Sequence, residues 1–128
     1  MLDLNPEIVC NIITKARVIG IEDDLMPEEP TNPGDFDWTG ALADYQSDLT
    51  YVELKSLIND LEPDQQITLT ALMYIGRGDY DLEEWSLACD EARKIPLESR
   101  ADYLIAKPLL ADYLEEALAK FGYSCEEE

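Results

Sequence analysis

The sequence contains no histidine, the side chain that most often serves as a general base or a metal ligand. Basic residues are also scarce: nine stand against 29 acidic ones, and the formal net charge is −20. Nucleic-acid phosphates and anionic membrane surfaces are bound through clustered Lys and Arg. This balance therefore argues against direct nucleic-acid or membrane binding, and it favours a basic protein as partner.

Cysteine is rare as well. Cys10, Cys89 and Cys125 are odd in number and widely spaced, which predicts no disulfide framework and favours a reducing cytoplasm. No apolar run is long enough to span a membrane, and residues 1–4 lack the basic segment of a signal peptide. We therefore expect a cytoplasmic protein.

The sequence is nevertheless rich enough in apolar residues, at 46% of 128, to build one domain with a sizeable core. Residues 64–75 are apolar on nearly every side of a helix by their second half, which is typical of a helix in the middle of a core. We expect Gly76 to end this helix in a left-handed conformation and Gly78 to let the turn close. Leu82 and Trp85 are predicted to face the core from the next helix.

Capping residues and the spacing of apolar residues predict the remaining helices, and no stretch alternates as a strand would. Thr50 is predicted to cap one helix with Glu53, and Asp81 to pair with Glu84 at the start of another. The fold class is therefore an all-α, single-domain bundle (1–128) of six or seven short helices. An exposed acidic, proline-containing loop is expected at 22–37 and an acidic tail at 124–128. The predicted helices are 6–19, 38–48, 50–61, 64–75, 81–94, 96–106 and 108–121.

The many carboxylates do not single out a catalytic pair. Most stand at predicted helix starts or on exposed faces, where the helix dipole and solvent account for them. Residues 79–83 begin like a calcium loop, but Glu84 replaces the glycine needed at the sixth position. The sequence thus predicts no catalytic residue, no metal site and no cofactor.

Two groups of residues are candidates for contact with a partner. Arg77 and Asp79 lie in the glycine turn, where Arg77 either binds the carbonyl groups at the helix end or contacts an anion or a partner. The second group lies in the acidic loop, for which a solvated connector is the simpler interpretation. Its members are Glu22, Asp23, Asp24, Glu28 and Glu29.

Three motifs resemble a bacterial family of short acidic proteins known only as a domain of unknown function. They are Leu-Asn-Pro-Glu-Ile-Val at 4–9, Gly-Arg-Gly-Asp at 76–79 followed by Glu-Glu-Trp at 83–85, and Pro-Leu-Leu-Ala-Asp-Tyr-Leu-Glu-Glu at 108–116. The resemblance implies a small helical protein without an assigned activity. It supplies no catalytic residues.

Taken together, these features favour a non-enzymatic module that binds a basic protein, with mimicry of nucleic acid as one variant. The first alternative is a small-ligand binder or enzyme with a carboxylate-rich site. A further alternative is a homo-oligomer that associates through an apolar helix face.

Overall fold

The computed structural model describes residues 4–19, 38–42, 45 and 47–125, and these form helices and turns with no strand among them. The prediction of an all-α bundle is confirmed. The predicted acidic loop at 22–37 and residues 126–128 of the predicted tail lie outside the described residues. The helices are α1 (Pro6–Ile19), α2 (Trp38–Ala41), α3 (Leu49–Asn59), α4 (Pro63–Arg77), α5 (Trp85–Arg93), α6 (Arg100–Ile105) and α7 (Leu110–Lys120), and 3₁₀ turns at Leu82–Glu84 and Leu97–Ser99 precede α5 and α6.

Helix α1 has the predicted bounds. The side chain of Asn5 accepts a hydrogen bond from the backbone N–H of Glu7 at 2.9 Å, which satisfies a donor of the first turn. The buried face of the helix carries Val9, Ile12 and Ile13. Through this face α1 packs against α3 and α7.

The central helix is α4, which is buried without interruption from Thr68 to Ile75 and packs against α5, α6 and α7. It starts at a capping box, in which the backbone N–H of Glu62 donates to the side chain of Gln65 at 3.0 Å. Because every side of its second half meets another helix, an all-round apolar sequence is required there.

The two glycines at the end of α4 have different roles from those predicted. Gly76 lies inside the helix, and Gly78 is the residue that takes the left-handed conformation, with φ of 93°. A Cβ at Gly76 would overlap the backbone carbonyl oxygen of Tyr113 and lie 2.9 Å from its Cα. Gly76 is therefore needed for the close approach of α7 to α4, and the prediction that it ends the helix is wrong.

Replacing Gly76 with alanine is expected to lower the free energy of unfolding by about 3 kcal/mol, the upper part of the range for overpacked sites. The overlap is with backbone, which cannot turn away as a side chain can. A Cβ at Gly78 meets nothing within 4 Å, so Gly78→Ala should cost only about 1 kcal/mol for its positive φ. Urea unfolding of both variants checks this, and equal losses would contradict the close approach.

Several helix boundaries and one cap differ from the predictions. Helix α2 ends at Ala41 rather than continuing to residue 48. Asp48, not Thr50, caps α3: its Oδ1 accepts from the backbone N–H groups of Thr50 at 2.8 Å and Tyr51 at 3.4 Å. A carboxylate at this position, two residues before Thr50, is a strong cap that also suits the helix dipole.

Asp81 and Glu84 form the predicted capping pair, with the Asp81 backbone N–H donating to Glu84 Oε1 at 3.0 Å. Asp81 precedes the 3₁₀ turn Leu82–Glu84, and Glu84 is its last residue. Helix α5 therefore begins only at Trp85.

No disulfide framework was predicted from the sequence, but the structure contains one disulfide. Cys10 in α1 is bonded to Cys125, which follows α7, and their Cα atoms are 5.5 Å apart. The two cysteines are separated by 115 residues in sequence. The packing of α1 against α7 brings them together, which no local pattern could show. The expectation of a reducing cytoplasm rested on the absence of this bond and loses that support.

Candidate functional site

The most organised polar cluster joins α3 to α6, and we call it the Lys55 network: Tyr51, Lys55 and Asp102. The side chain of Asp102 is fully buried. Its Oδ1 accepts a hydrogen bond from the Tyr51 hydroxyl at 2.6 Å, and its Oδ2 accepts one from Lys55 Nζ at 3.1 Å. Lys55 Nζ also donates to the Tyr51 hydroxyl at 3.3 Å.

The network keeps Lys55 protonated. Burial opposes the charged form, but the hydrogen bonds to Asp102 and Tyr51 and the charge of Asp102 outweigh it, so the pKa of Lys55 is raised. Because the folded state holds this proton more tightly than the unfolded chain, the protonated lysine stabilises the fold at every pH below its ordinary pKa of about 10.4. This contribution is lost as the pH rises through the pKa that Lys55 has in the folded state. A lysine held in this way is a poor nucleophile or general base at neutral pH. The geometry indicates a structural ion pair.

Lys107 is buried just after α6 and joins that helix to α2. Lys107 Nζ lies 4.0 Å from the ring centroid of Tyr103 and 4.5 Å from that of Trp38. The two rings meet edge to face at 5.1 Å. The hydroxyl of Tyr103 is also hydrogen-bonded to that of Tyr74 in α4 at 3.0 Å. Aromatic faces attract a cation that has left water, so Lys107 can be buried here.

The side chain of Arg100 is also buried. Its Nε donates to the carbonyl oxygen of Ile95 at 3.0 Å, and one terminal nitrogen donates to that of Pro63 at 3.5 Å. Burial lowers the pKa of Arg100, but an arginine remains charged at any pH of interest. Arg100 thus ties the turn before α6 to the start of α4.

Sequence reasoning missed these buried groups, although a signal was present. Asp102 is the only charged residue in the apolar run 101–106, and Lys107 follows it directly. A charge inside an apolar run must find a partner or pay heavily for leaving water. What the sequence did not show was the partner, since Lys55 is 47 residues away.

The predicted residues of the glycine turn contact each other. Arg77 donates from Nε and from a terminal nitrogen to Asp79 Oδ2 at 3.0 Å and 2.7 Å, and its guanidinium lies 5.5 Å from the Tyr74 ring centroid. The carbonyl oxygen of Tyr74 accepts from the backbone N–H groups of Gly78 and Asp79. Arg77 therefore forms an ion pair across the turn, and its binding to the carbonyl groups at the helix end stays a prediction.

Trp85 packs against the core, as the spacing predicted, but the core does not cover it fully. It is half-buried, and its ring packs edge to face against that of Phe121, with centroids 5.2 Å apart. Helix α5 contributes Ala88 and Ala92 to the buried core. The preceding 3₁₀ turn leaves Leu82, also predicted as buried, 38% exposed.

Eight of the nine basic side chains interact with other groups of the same chain, some of them on the surface. Six form ion pairs with Asp or Glu, and Arg100 and Lys107 are buried against carbonyl groups and rings. By contrast, Glu83, Glu98 and Glu116 are exposed and make no ion pair within the part of the chain that the structure describes. The surface is therefore left with uncompensated negative charge. Within the described residues, the ion pairs of these six side chains are Lys15–Glu53, Arg17 with both Asp112 and Glu115, Lys55–Asp102, Arg77–Asp79, Arg93–Asp90 and Lys94–Glu91.

The other predicted partner-binding residues, in the acidic loop, lie outside the described residues. They are Glu22, Asp23, Asp24, Glu28 and Glu29. In the ranges that the structure does cover, no group of three or more Cys, Asp or Glu side chains is arranged to hold a metal ion. No helix in those ranges is long and apolar enough to cross a membrane.

These features define an acidic all-α bundle held together by a few buried cations. The chain belongs to the family described as protein of unknown function DUF3775, whose model matches residues 51–123. The match contains the Lys55 network and two of the three motifs that suggested a domain of unknown function, while the motif at 4–9 precedes it. No curated protein and no solved structure matches the chain.

Proposed function

We propose that this protein is a non-enzymatic interaction module whose acidic surface binds a basic protein partner. The observation that carries the proposal is the use of basic residues: eight of the nine are engaged within the fold. Carboxylates such as Glu83, Glu98 and Glu116 consequently face solvent without an ion-pair partner among the described residues. Such a surface attracts basic partners and repels nucleic acid and anionic lipid.

The buried charges support a binding role over an enzymatic one. The side chains of the Lys55 network are hydrogen-bonded to one another. The raised pKa of Lys55 keeps its ammonium group protonated. A catalytic lysine needs the opposite shift, towards neutral pH. The surface carboxylates are exposed to water. Catalytic carboxylate pairs instead depend on surroundings that give the two groups different pKa values.

The test is the titration of a fluorescent lysine-rich peptide into the protein, followed by anisotropy at two salt concentrations. We expect binding at about 0.01 M salt, with the affinity falling at least tenfold at about 0.15 M as the Debye length shortens from about 30 Å to about 8 Å. The same peptide with glutamate in place of lysine is the control and should not bind. Absence of binding by the lysine peptide at the lower salt would overturn the proposal.

A further inference from the structure

A small apolar surface interrupts the acidic exterior where α5 meets the end of α7. We call it the Trp85 surface, and it consists of Leu82, Trp85 and Phe121. The Trp85 and Phe121 rings are half-buried and meet edge to face at 5.2 Å and an interplanar angle of 81°. In a 3₁₀ turn residues three apart lie one above the other, so Leu82, at 38% exposure, lies on the same edge as Trp85.

Carboxylates border this surface along the 3₁₀ turn. Asp81, Glu83 and Glu84 are all exposed, and no ion pair to them is present in the described part of the chain. Asp81 and Glu84 are held in fixed positions by their capping box. Their neighbour Asp79 is already paired with Arg77. On the other side the basic residue next to Phe121 is Lys120, at the end of α7.

We propose that the Trp85 surface is the docking site for a basic amphipathic helix of the partner protein. This inference rests on the proposed function and names the place where the partner binds. Aromatic side chains with partly exposed faces are enriched at the centres of interfaces, and an acidic rim complements Lys and Arg beside the apolar face of a helix. A second copy of this chain fits less well, because two molecules of net charge −20 repel each other.

The structure offers a matched control at its other 3₁₀ turn. Leu97 and Glu98 hold the first two positions of Leu97–Ser99, just as Leu82 and Glu83 hold those of Leu82–Glu84. Leu97 is 49% exposed and Glu98 is exposed. The double variants Leu82→Gln/Glu83→Gln and Leu97→Gln/Glu98→Gln therefore remove the same side chains and the same charge. All four positions are exposed, so both variants should fold, which thermal melts verify.

The probe is a helical peptide of lysine and leucine with leucines on one face, compared with a peptide that has serine in place of leucine. We expect the amphipathic peptide to bind wild type and Leu97→Gln/Glu98→Gln equally, and Leu82→Gln/Glu83→Gln about tenfold more weakly. Binding should also protect tryptophan fluorescence from acrylamide. Trp38 is already 1% exposed, so the protection would report on Trp85.

Each other outcome overturns the inference in a recognisable way. Equal weakening in both double variants, or equal binding of the serine peptide, would mean that general charge attraction suffices, and the proposed function would survive without this docking site. No binding of either peptide to wild type would overturn both. A dimer of the wild-type protein in sedimentation that Leu82→Gln/Glu83→Gln dissolves would assign the surface to self-association instead.

Discussion

Replacing Lys55 with methionine is expected to lower the free energy of unfolding by about 3–5 kcal/mol, as measured by urea denaturation at neutral pH. The side chain of Asp102 is fully buried, whereas that of Lys55 is 30% exposed. Removing the lysine leaves a carboxylate that cannot turn towards water and has lost its cation, which is the costly way to break a buried pair.

The matched control is Lys15→Met. The side chain of Lys15 has the same 30% exposure, but its partner Glu53 is 50% exposed, and their atoms are 3.4 Å apart. An exposed pair contributes about 0–1 kcal/mol. A loss in Lys55→Met as small as that in Lys15→Met would show that Asp102 does not need its cation, and the structural role of the network would have to be abandoned.

Replacing the whole network should cost much less than breaking it. In Tyr51→Phe/Lys55→Met/Asp102→Leu no buried polar group of the network is left without its partner. Apolar replacements of buried ion pairs are often close to neutral. We therefore expect this triple variant to recover most of the stability lost in Lys55→Met, and this non-additivity identifies the coupling.

The double variant Cys10→Ser/Cys125→Ser is the second change with a large expected effect, a loss of about 3–5 kcal/mol. The bond closes a loop spanning 115 residues, and a cross-link over a loop of about 100 residues restricts the unfolded chain by up to about 4.7 kcal/mol. The loss should appear as a lower midpoint of thermal unfolding.

Cys89→Ser is the control for this pair, because Cys89 on α5 is not part of a disulfide. It should change stability by about 1 kcal/mol or less. Dithiothreitol should lower the midpoint of wild type and of Cys89→Ser towards that of the double variant, which should itself not respond. A wild-type midpoint that is insensitive to reductant would contradict the disulfide.

The helices are the part of the fold that could be predicted from the sequence. Their signals are local: the Asn5 cap and Pro6 start α1, and the capping pair Asp81 and Glu84 marks the turn before α5. Errors arose where two local signals competed. Asp48 rather than Thr50 caps α3, although both residue types are good caps.

Contacts between residues that are distant in sequence could not be predicted. The Cys10–Cys125 bond and the Lys55–Asp102 pair depend on how helices pack, and a single sequence carries no direct record of that. The same limitation explains Gly76, whose role follows from the backbone of Tyr113 in another helix.

The candidate site was reached in part. The turn at 76–85 was singled out for its glycines and for Arg77 and Asp79, which prove to be paired with each other. The apolar residues beside it, Leu82 and Trp85, were assigned to the core because helical spacing marks a face without saying how much of it is covered. Partner binding by Arg77 and Asp79 stays a prediction.

The central claim is that nearly all basic side chains are engaged by other groups of the chain. The negative charge of the remaining surface carboxylates is therefore not compensated. The most direct measurement is the midpoint of thermal unfolding as NaCl rises from about 0.01 M to about 0.15 M, over which repulsion between exposed charges is increasingly screened. With a net charge of −20, self-repulsion destabilises the compact state, so the midpoint should rise. A flat or falling midpoint would mean that the carboxylates are compensated locally, and it would contradict the claim.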